Sequence, residues 1–232
     1  MRAHAHKVWS LDLVGHIFGD ESLAKLPDLA RLELLELKAN SISGHGLTEL
    51  SRFPKLRVLR IALDRNESFR IPELATKLAA LEVFDIHQPP HRPWGFSDLL
   101  EAAPALNWLT FKSHGELFVD GDCPPTTDRL GVQATRITRG LKPPKTIESV
   151  YAHLSEMNDR DVDDWLASAQ QIGGLDLSGP ITDAFAEALP TRFGLRYLNV
   201  VQTLVSEAAV KRIRNAHPKL KLLPNLGPSV QS

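Results

Sequence analysis

One short hydrophobic pattern recurs along this chain: an apolar residue, two others, a second apolar residue, one other, and a third apolar residue. Copies begin at Val8, Leu32, Leu56, Leu81, Leu106, Ile147, Ile172 and Leu195, and a shortened copy begins at Leu220. The intervals between these starts are 24, 24, 25, 25, 41, 25, 23 and 25 residues. A nearly constant period of this size predicts a repeat architecture in which each unit stacks on the next.

Each repeat is predicted to contain one short β-strand and one short helix. The strand follows from the pattern itself, because the second and third apolar residues point to the same side of an extended chain. Apolar residues with helical spacing occur between the copies. Helices are expected over 22–26, 47–53, 73–78, 97–103, 161–166, 183–189 and 206–213. Ser97, Asp183 and Ser206 are predicted N-caps, since their side-chain oxygens can accept hydrogen bonds from unpaired backbone amides.

The second copy resembles the leucine-rich repeat family, whose LxxLxLxxN signature is matched by Leu32, Leu35, Leu37 and Asn40. The other copies hold different residues at the asparagine position, so the resemblance there lies in the apolar pattern and its period. The resemblance implies an α/β fold, a right-handed curved solenoid with a parallel inner, concave β-sheet and helices on the convex side. It also implies about nine repeats of 23–25 residues, with one irregular interval.

The repeats span nearly the whole chain, which predicts a single domain over 1–232 with a repeat core at 8–223 and a C-terminal tail at 224–232. The long interval contains an irregular segment, 116–139, without a helical pattern. One interpretation is a degenerate repeat in which a loop replaces the helix and a strand lies somewhere in 130–138. The other is an insertion that adds binding surface.

Charge and cysteine content narrow the range of partners and compartments. Lys and Arg total 27 against 28 Asp and Glu, a net charge of -1, which argues against a nucleic-acid partner. No apolar run approaches the roughly 18 residues of a membrane span, so no membrane partner is expected. The single cysteine, Cys123, cannot form an intramolecular disulfide, which favours a reducing compartment. We therefore expect a soluble cytoplasmic protein.

No sequence motif predicts catalysis, because the chain lacks a GxSxG elbow, a Walker A loop and an HExxH sequence. Asp120, Asp122 and Asp128 resemble the start of a calcium loop, but Pro124 interrupts the ligand spacing, so an acidic solvated turn is favoured. The carboxylate beside Cys123 would raise the pKa of its thiol, which argues against a nucleophile. We predict a non-enzymatic protein with no cofactor and no metal site.

In this repeat geometry, every second strand residue faces the concave surface rather than the core. Trp108, Tyr151 and Tyr197 would then be aromatic residues on a water-facing sheet, where such rings often anchor protein partners. The predicted partner-binding residues are Glu36, Arg60, Asp85, His87, Trp94, Trp108, Tyr151, His153 and Tyr197. One alternative is that Trp108 and Tyr197 pack sideways on neighbouring strands. Another is that Arg60, with Glu36 and Asp85 beside it, forms a ladder of compensating charges.

The segment IHQPPHRPWGF, residues 86–96, places His87, His91, Arg92 and Trp94 among three prolines. Two histidines four positions apart suggest a metal site, but proline excludes the helix on which they would converge. We favour a stiff loop at the rim of the binding face. The alternative is a loop whose Trp94 only covers the core.

The sequence as a whole predicts a non-catalytic protein–protein interaction module that binds a protein partner on the concave sheet face and adjoining loops. The alternative is a structural or regulatory solenoid region of a larger multidomain or self-associating protein. Its basis is that no obvious polar cap precedes Val8 or follows Leu223, and uncapped solenoid ends expose apolar surface.

Overall fold

The computed structural model describes residues 7–14, 19–39, 44–63, 78–89 and 95–223. Its main element is one parallel sheet of ten strands that follow each other in chain order. These are β1 Ser10–Val14, β2 Leu34–Ala39, β3 Val58–Leu63, β4 Val83–His87, β5 Trp108–Lys112, β7 Arg129–Ala134, β9 Thr146–Leu154, β10 Gln171–Ser178, β11 Tyr197–Asn199 and β12 Lys221–Leu223. Two further strands, β6 Leu117–Phe118 and β8 Ile137–Arg139, form a separate parallel pair.

Short helices connect the strands. They are α1 Asp20–Ala24, α2 Gly44–Thr48, α3 Phe96–Ala102, α4 Asp159–Leu166, α5 Asp183–Phe193 and α6 Glu207–Ala216. A 3-10 helix, Glu49–Arg52, continues α2. Each of these helices overlaps a segment predicted from the apolar spacing. The helix expected over 73–78 lies outside the described residues except for Leu78.

The hydrophobic core lies between the helices and one face of the sheet. Leu35, Phe84 and Phe111 come from three strands and have no exposed surface, as is also true of Leu23 of α1 and Phe96 of α3. All five belong to one buried cluster. The rings of Phe96 and Phe111 meet edge to face at 5.3 Å between centroids, which ties α3 directly to β5. Helices therefore cover one face of the sheet and leave the other to solvent.

The irregular interval contributes a full strand to the main sheet. β7 pairs with β5 on one side and with β9 on the other, which confirms the strand predicted within 130–138, although it begins one residue earlier, at Arg129. No helix occurs between β5 and β9, a stretch that the structure describes completely. The loops and β6 and β8 fill the helix position instead, and bury Leu117, Val119 and Leu141.

Two of the three predicted N-caps are wrong, and the structure shows why for Asp183. Ser206 does cap α6, since its hydroxyl accepts from the amide of Ala209 at 3.1 Å. The N-cap of α5 is Thr182, and Asp183 is the first helical residue. The Asp183 carboxylate instead accepts from the amide and the hydroxyl of Ser206, both at 2.6 Å. This carboxylate therefore connects α5 to the helix of the next repeat.

The same connection joins α4 to α5. The carboxylate of Asp159, the first residue of α4, accepts from the Thr182 amide at 2.9 Å and from its hydroxyl at 2.5 Å. At the start of α4 itself, Asn158 and Asp161 form a capping box that the sequence analysis missed. Consecutive helices in this part of the chain are thus linked at their N-terminal ends.

The N-terminus of α3 is held from outside the helix, which is why Ser97 is not its cap. The N-cap is Gly95, and the Asp120 carboxylate accepts from the amides of Gly95 and Phe96 at 3.0 and 2.9 Å. The Ser97 hydroxyl donates to the backbone oxygen of Asp120 at 2.8 Å. The acidic turn around Asp120 therefore orders its neighbouring repeat.

Candidate functional site

The sheet face opposite the helices, called here the outward face, consists of rows of side chains that cross the strands. The parallel register sets residues of equal repeat position side by side, such as Glu36, Arg60 and Asp85 on β2, β3 and β4. The central row reads Asp12, Glu36, Arg60, Asp85, Thr110, Gly131, Tyr151, Asp176 and Asn199. This register reproduces the row expected from the repeat pattern, with Gly131 of β7 added.

The aromatic residues predicted for this face differ in exposure. Trp108 and Tyr151 are 41% and 40% exposed, and Tyr197 is partly buried. The guanidinium of Arg129, on the next strand, lies 5.1 Å from the Trp108 ring centroid, and the ammonium of Lys221 lies 5.9 Å from the Tyr197 ring. Trp108 therefore combines an exposed ring with sideways packing against the next strand, and its role as a partner anchor stays a prediction.

Tyr151 and His153 form a stacked pair on β9. Their ring centroids lie 4.5 Å apart with an interplanar angle of 26°. The two residues are separated by one inward-facing residue, so both side chains leave the same face of the strand. Stacking fixes the orientation of the exposed Tyr151 ring, which reduces the conformational entropy that it would lose on binding.

On β2, β3 and β4, charged side chains of the outward face pair with each other. A guanidinium nitrogen of Arg60 lies 3.5 Å from the Glu36 carboxylate, while Asp85 lies against His87, with Oδ1 3.2 Å from Nε2. No well-aligned hydrogen bond reaches this buried Oδ1 within the described part of the chain. The short distance allows an ion pair when the imidazole is protonated. The predicted charge ladder thus links Arg60 to Glu36, but Asp85 pairs along its own strand.

A surface cavity of about 390 Å³ opens on the outward face over Gly131, and we call it the Gly131 cavity. Trp108 of β5 and Tyr151 of β9 line it on opposite sides, Arg129 lies on β7 between those strands, and Ser149 lies on the Tyr151 side. The cavity exists because Gly131 has no side chain in the row position between Thr110 and Tyr151. A Cβ at this position would lie 3.2 Å from Cγ2 of Thr110, so a side chain would enter the cavity with only a small local adjustment.

A second cavity, of about 280 Å³, lies beside β8 and α4, away from these rows. Its lining mixes cations with carboxylates, and Arg136 approaches Asp161 at 3.8 Å. Three cations face two carboxylates there, so most of the charge in its lining is compensated.

The loop that follows β4 is only partly described. His87 lies on the outward face beside Lys112 of β5, and Pro89 is buried. Gln88 adopts a left-handed backbone conformation with φ of 57°, and its amide donates to the Lys112 carbonyl at 2.6 Å. Trp94, with His91 and Arg92, lies outside the described residues, so its proposed place at the rim stays a prediction.

Arg129 and Gly131 are the site residues that the sequence analysis missed. Both lie on β7, whose copy of the pattern departs from the repeat period. The sequence does indicate this strand, because Leu130 and Val132 alternate with polar or small residues. Both are buried in the structure. Aligning them with Leu109 and Phe111 would have placed Arg129 beside Trp108.

The surroundings of Cys123 disfavour reaction of its thiol. The side chain is buried, and its sulfur lies 3.9 Å from the Leu141 carbonyl oxygen. Burial raises the pKa of the Cys123 thiol, and the neighbouring Asp122 carboxylate raises it further. Asp122 itself accepts a hydrogen bond from the Lys142 amide at 3.1 Å. A protonated, enclosed thiol is a poor nucleophile.

Within the described ranges, no group of three or more His, Cys, Asp or Glu side chains is arranged to hold a metal ion. None of the helices seen in these ranges is both long enough and apolar enough to cross a membrane.

No protein-family model matches this sequence, and no curated protein is significantly similar to it.

The two tyrosines provide a measurable test of this face. Burial raises the pKa of Tyr151 and of Tyr197, and the Asp176 carboxylate raises both further. The folded state therefore favours the protonated phenols. Their contribution to stability is present below the unfolded pKa of about 10 and is lost as pH rises through the folded pKa. Because the chain has only two tyrosines, tyrosinate absorbance reports on them alone.

We expect Asp176→Asn to lower the titration midpoint of both tyrosines, measured by ultraviolet absorbance in the folded protein. Asp12→Asn, in the same row but at the far end of the sheet, is the control and should leave both midpoints unchanged. An Asp176→Asn profile that overlays the wild-type profile would contradict the placement of Asp176 between the two rings.

Proposed function

We propose that this protein is a non-catalytic protein-binding module of the leucine-rich-repeat type. In this proposal the ten-stranded sheet belongs to a right-handed curved solenoid of about nine regular repeats, and its outward face is concave and holds a protein partner. The observation that carries the proposal is the exposure of Trp108 and Tyr151 on opposite sides of one cavity. Large rings with a polar atom are the usual anchors of protein interfaces. The proposed setting is cytoplasmic, without a membrane or nucleic-acid partner.

The area of the outward face sets a condition on this proposal. Strands lie about 4.8 Å apart and a residue spans about 3.3 Å, so ten strands and four residues give on the order of 600 Å². A standard protein interface buries about 800 Å² on each partner. Loops that follow the strands, such as the one after β4, must therefore contribute contacts if the complex is stable.

The proposal predicts that a Trp108→Ala/Tyr151→Ala double variant loses a protein that the wild type captures from the native cell extract. Mass spectrometry would identify the captured protein. Removal of one interface anchor typically costs about 2 kcal/mol, so the Kd for the purified partner should rise about 30-fold or more.

Trp9→Ala is the matched control for this experiment, because Trp9 is 65% exposed but precedes β1, at the far end of the sheet from the Gly131 cavity. It should capture the same partner as the wild type. Identical partners and equal Kd values for wild type and double variant would reject the outward face as the binding surface.

A second candidate function is a structural or regulatory role through self-association. Trp9 and Leu223 are exposed by 65% and 39% at opposite ends of the sheet. Among the described strands, β1 and β12 each pair on one side only. An open strand edge can pair with another chain. Strictly monomeric behaviour over a wide concentration range in analytical ultracentrifugation would exclude this candidate.

A further inference from the structure

We infer that the Gly131 cavity binds a carboxylate side chain, from an aspartate or glutamate of the protein partner, and that Arg129 is the residue that recognises it. This inference depends on the proposed function, since it names the chemistry of the partner at the same face. Four observations support it. They are the position of Arg129, the pairing of the nearby carboxylates, the hydroxyl groups around the cavity, and the absence of a side chain at Gly131.

Arg129 is held in place by an aromatic ring rather than by a carboxylate. Its guanidinium carbon lies over the Trp108 ring, 5.1 Å from the centroid. The ion pairs among the described residues do not include Arg129. Contact between the guanidinium carbon and the ring face uses none of the N–H groups, so Arg129 offers its donors with no acidic partner of its own among the described residues. Such a fork suits a carboxylate, which accepts two parallel hydrogen bonds.

The carboxylate that borders the cavity is already neutralised. Glu148 has both oxygens 2.6 Å from a guanidinium nitrogen of Arg196, which reaches it across β10. This reach is possible because Gly173 has no side chain between them: a Cβ there would lie 2.7 Å from the same nitrogen. The charge left without compensation inside the cavity is therefore that of Arg129.

The nearest carboxylates of the central row are separated from Gly131 by intervening residues. In the central row, Thr110 stands between Gly131 and Asp85, and Tyr151 stands between Gly131 and Asp176. Both acids lie two strands from Gly131, which corresponds to about 10 Å. At physiological ionic strength, exposed charges farther apart than about 8 Å are largely screened from each other. Asp85 and Asp176 therefore oppose an incoming carboxylate only weakly.

Neutral donors surround the same space. Thr110, Ser149 and Tyr151 all line the cavity and each carries a hydroxyl group. The pKa of Tyr151 is raised, so its phenol keeps its proton at neutral pH and can donate. A carboxylate has about four lone-pair sites, more than one guanidinium edge occupies. A basic side chain, in contrast, would meet the guanidinium of Arg129 at close range.

A defined probe can test this inference without knowledge of the natural partner. A randomised peptide library would be selected on the immobilised full-length protein, and affinities of enriched peptides would be measured by fluorescence anisotropy. We expect Asp or Glu to be enriched at one position. Arg129→Gln should weaken binding of the enriched peptides by about tenfold or more, the loss of one charge-assisted contact. Arg129→Lys, which keeps the charge but not the fork, should retain part of the affinity.

Gly131→Leu is a second, steric test, since it fills the cavity without a change of charge. Gly131 does not have a positive φ, so a side chain there meets no backbone strain. Gly174→Ala is its matched control: it adds a Cβ on the same face of β10, 3.5 Å from the Tyr197 ring. We expect Gly131→Leu to abolish peptide binding and Gly174→Ala to preserve it. Urea unfolding of each variant checks that the fold is retained.

The possible outcomes separate the two proposals. Enrichment of Lys or Arg, absence of any enrichment, or affinities unchanged by Arg129→Gln would overturn the carboxylate assignment. If the captured natural partner is lost with Trp108→Ala/Tyr151→Ala but binds Arg129→Gln as tightly as wild type, the outward face binds a partner and the inference alone fails. If the double variant retains the partner, the proposed function is rejected, together with the inference that depends on it.

Discussion

Phe111→Ala is expected to destabilise the protein by about 3–5 kcal/mol, the usual cost of removing a fully buried phenylalanine. Phe111 has no exposed surface and packs edge to face against Phe96 of α3. The substitution therefore removes buried apolar area and an aromatic contact between the sheet and a helix. Since whole domains have net stabilities of about 5–15 kcal/mol, this loss should be obvious as a shift of the urea midpoint monitored by circular dichroism.

Trp108→Ala is the matched control, because both aromatic residues lie on the five-residue strand β5 but point to opposite faces. Trp108 is 41% exposed, so its removal should cost about 1 kcal/mol or less. The ratio of the two losses of unfolding free energy tests whether successive side chains of β5 point to opposite faces of the sheet. Equal destabilisation by the two substitutions would mean that the outward face is not the solvent face.

Gly140→Ala is expected to cost about 3 kcal/mol or more, because two separate penalties add at this position. Its φ of +73° is unfavourable for any residue with a side chain. A Cβ there would also lie 2.2 Å from the carbonyl oxygen of Val119 and 2.8 Å from that of Gly121. The Gly121 carbonyl is held in place, since it accepts from the Leu141 amide at 2.8 Å. Urea unfolding would measure the loss.

Gly194→Ala isolates the conformational part of that effect. Gly194 ends α5 with a similar φ of +66°, but no atom lies within 4 Å of the position of its Cβ. Its substitution should therefore cost only about 1–2 kcal/mol, the penalty for a left-handed residue. If the two glycine variants had the same stability, the close approach of β8 to the loop after β6 would be wrong.

The period of the apolar pattern was sufficient to predict the ten-stranded sheet in most of its detail. Leu35, Leu59, Phe84 and Leu109 occupy equivalent positions, and the register places them side by side, because each must be buried. Local capping was less predictable. A side-chain oxygen such as that of Asp183 can satisfy an amide of its own helix or of the next one, and the choice depends on tertiary distances that the sequence does not contain.

The residues of the candidate site were predictable only on strands that follow the repeat period. Trp108 and Tyr151 were placed on the outward face by counting positions within a copy, and their exposure agrees with that placement. Arg129 and Gly131 were missed because β7 lies inside the 41-residue interval, out of phase with the count. The cavity depends on the absence of a side chain at Gly131, a feature that no pattern of apolar residues records.

The carboxylates that join α4 to α5 and α5 to α6 have a consequence for cooperativity. Asp159 binds Thr182 of the next unit, and Asp183 binds Ser206 of the unit after it, so these contacts between helix starts form only when both units are folded. Every such bond joins units adjacent in sequence. The free energy of one unit therefore depends mainly on the two beside it, and order spreads along the stack as in a one-dimensional array. Disorder that begins at α6 therefore reaches α5 before α4, while the contact of Arg196 with Glu148 across β10 is a longer link to the edge of the Gly131 cavity.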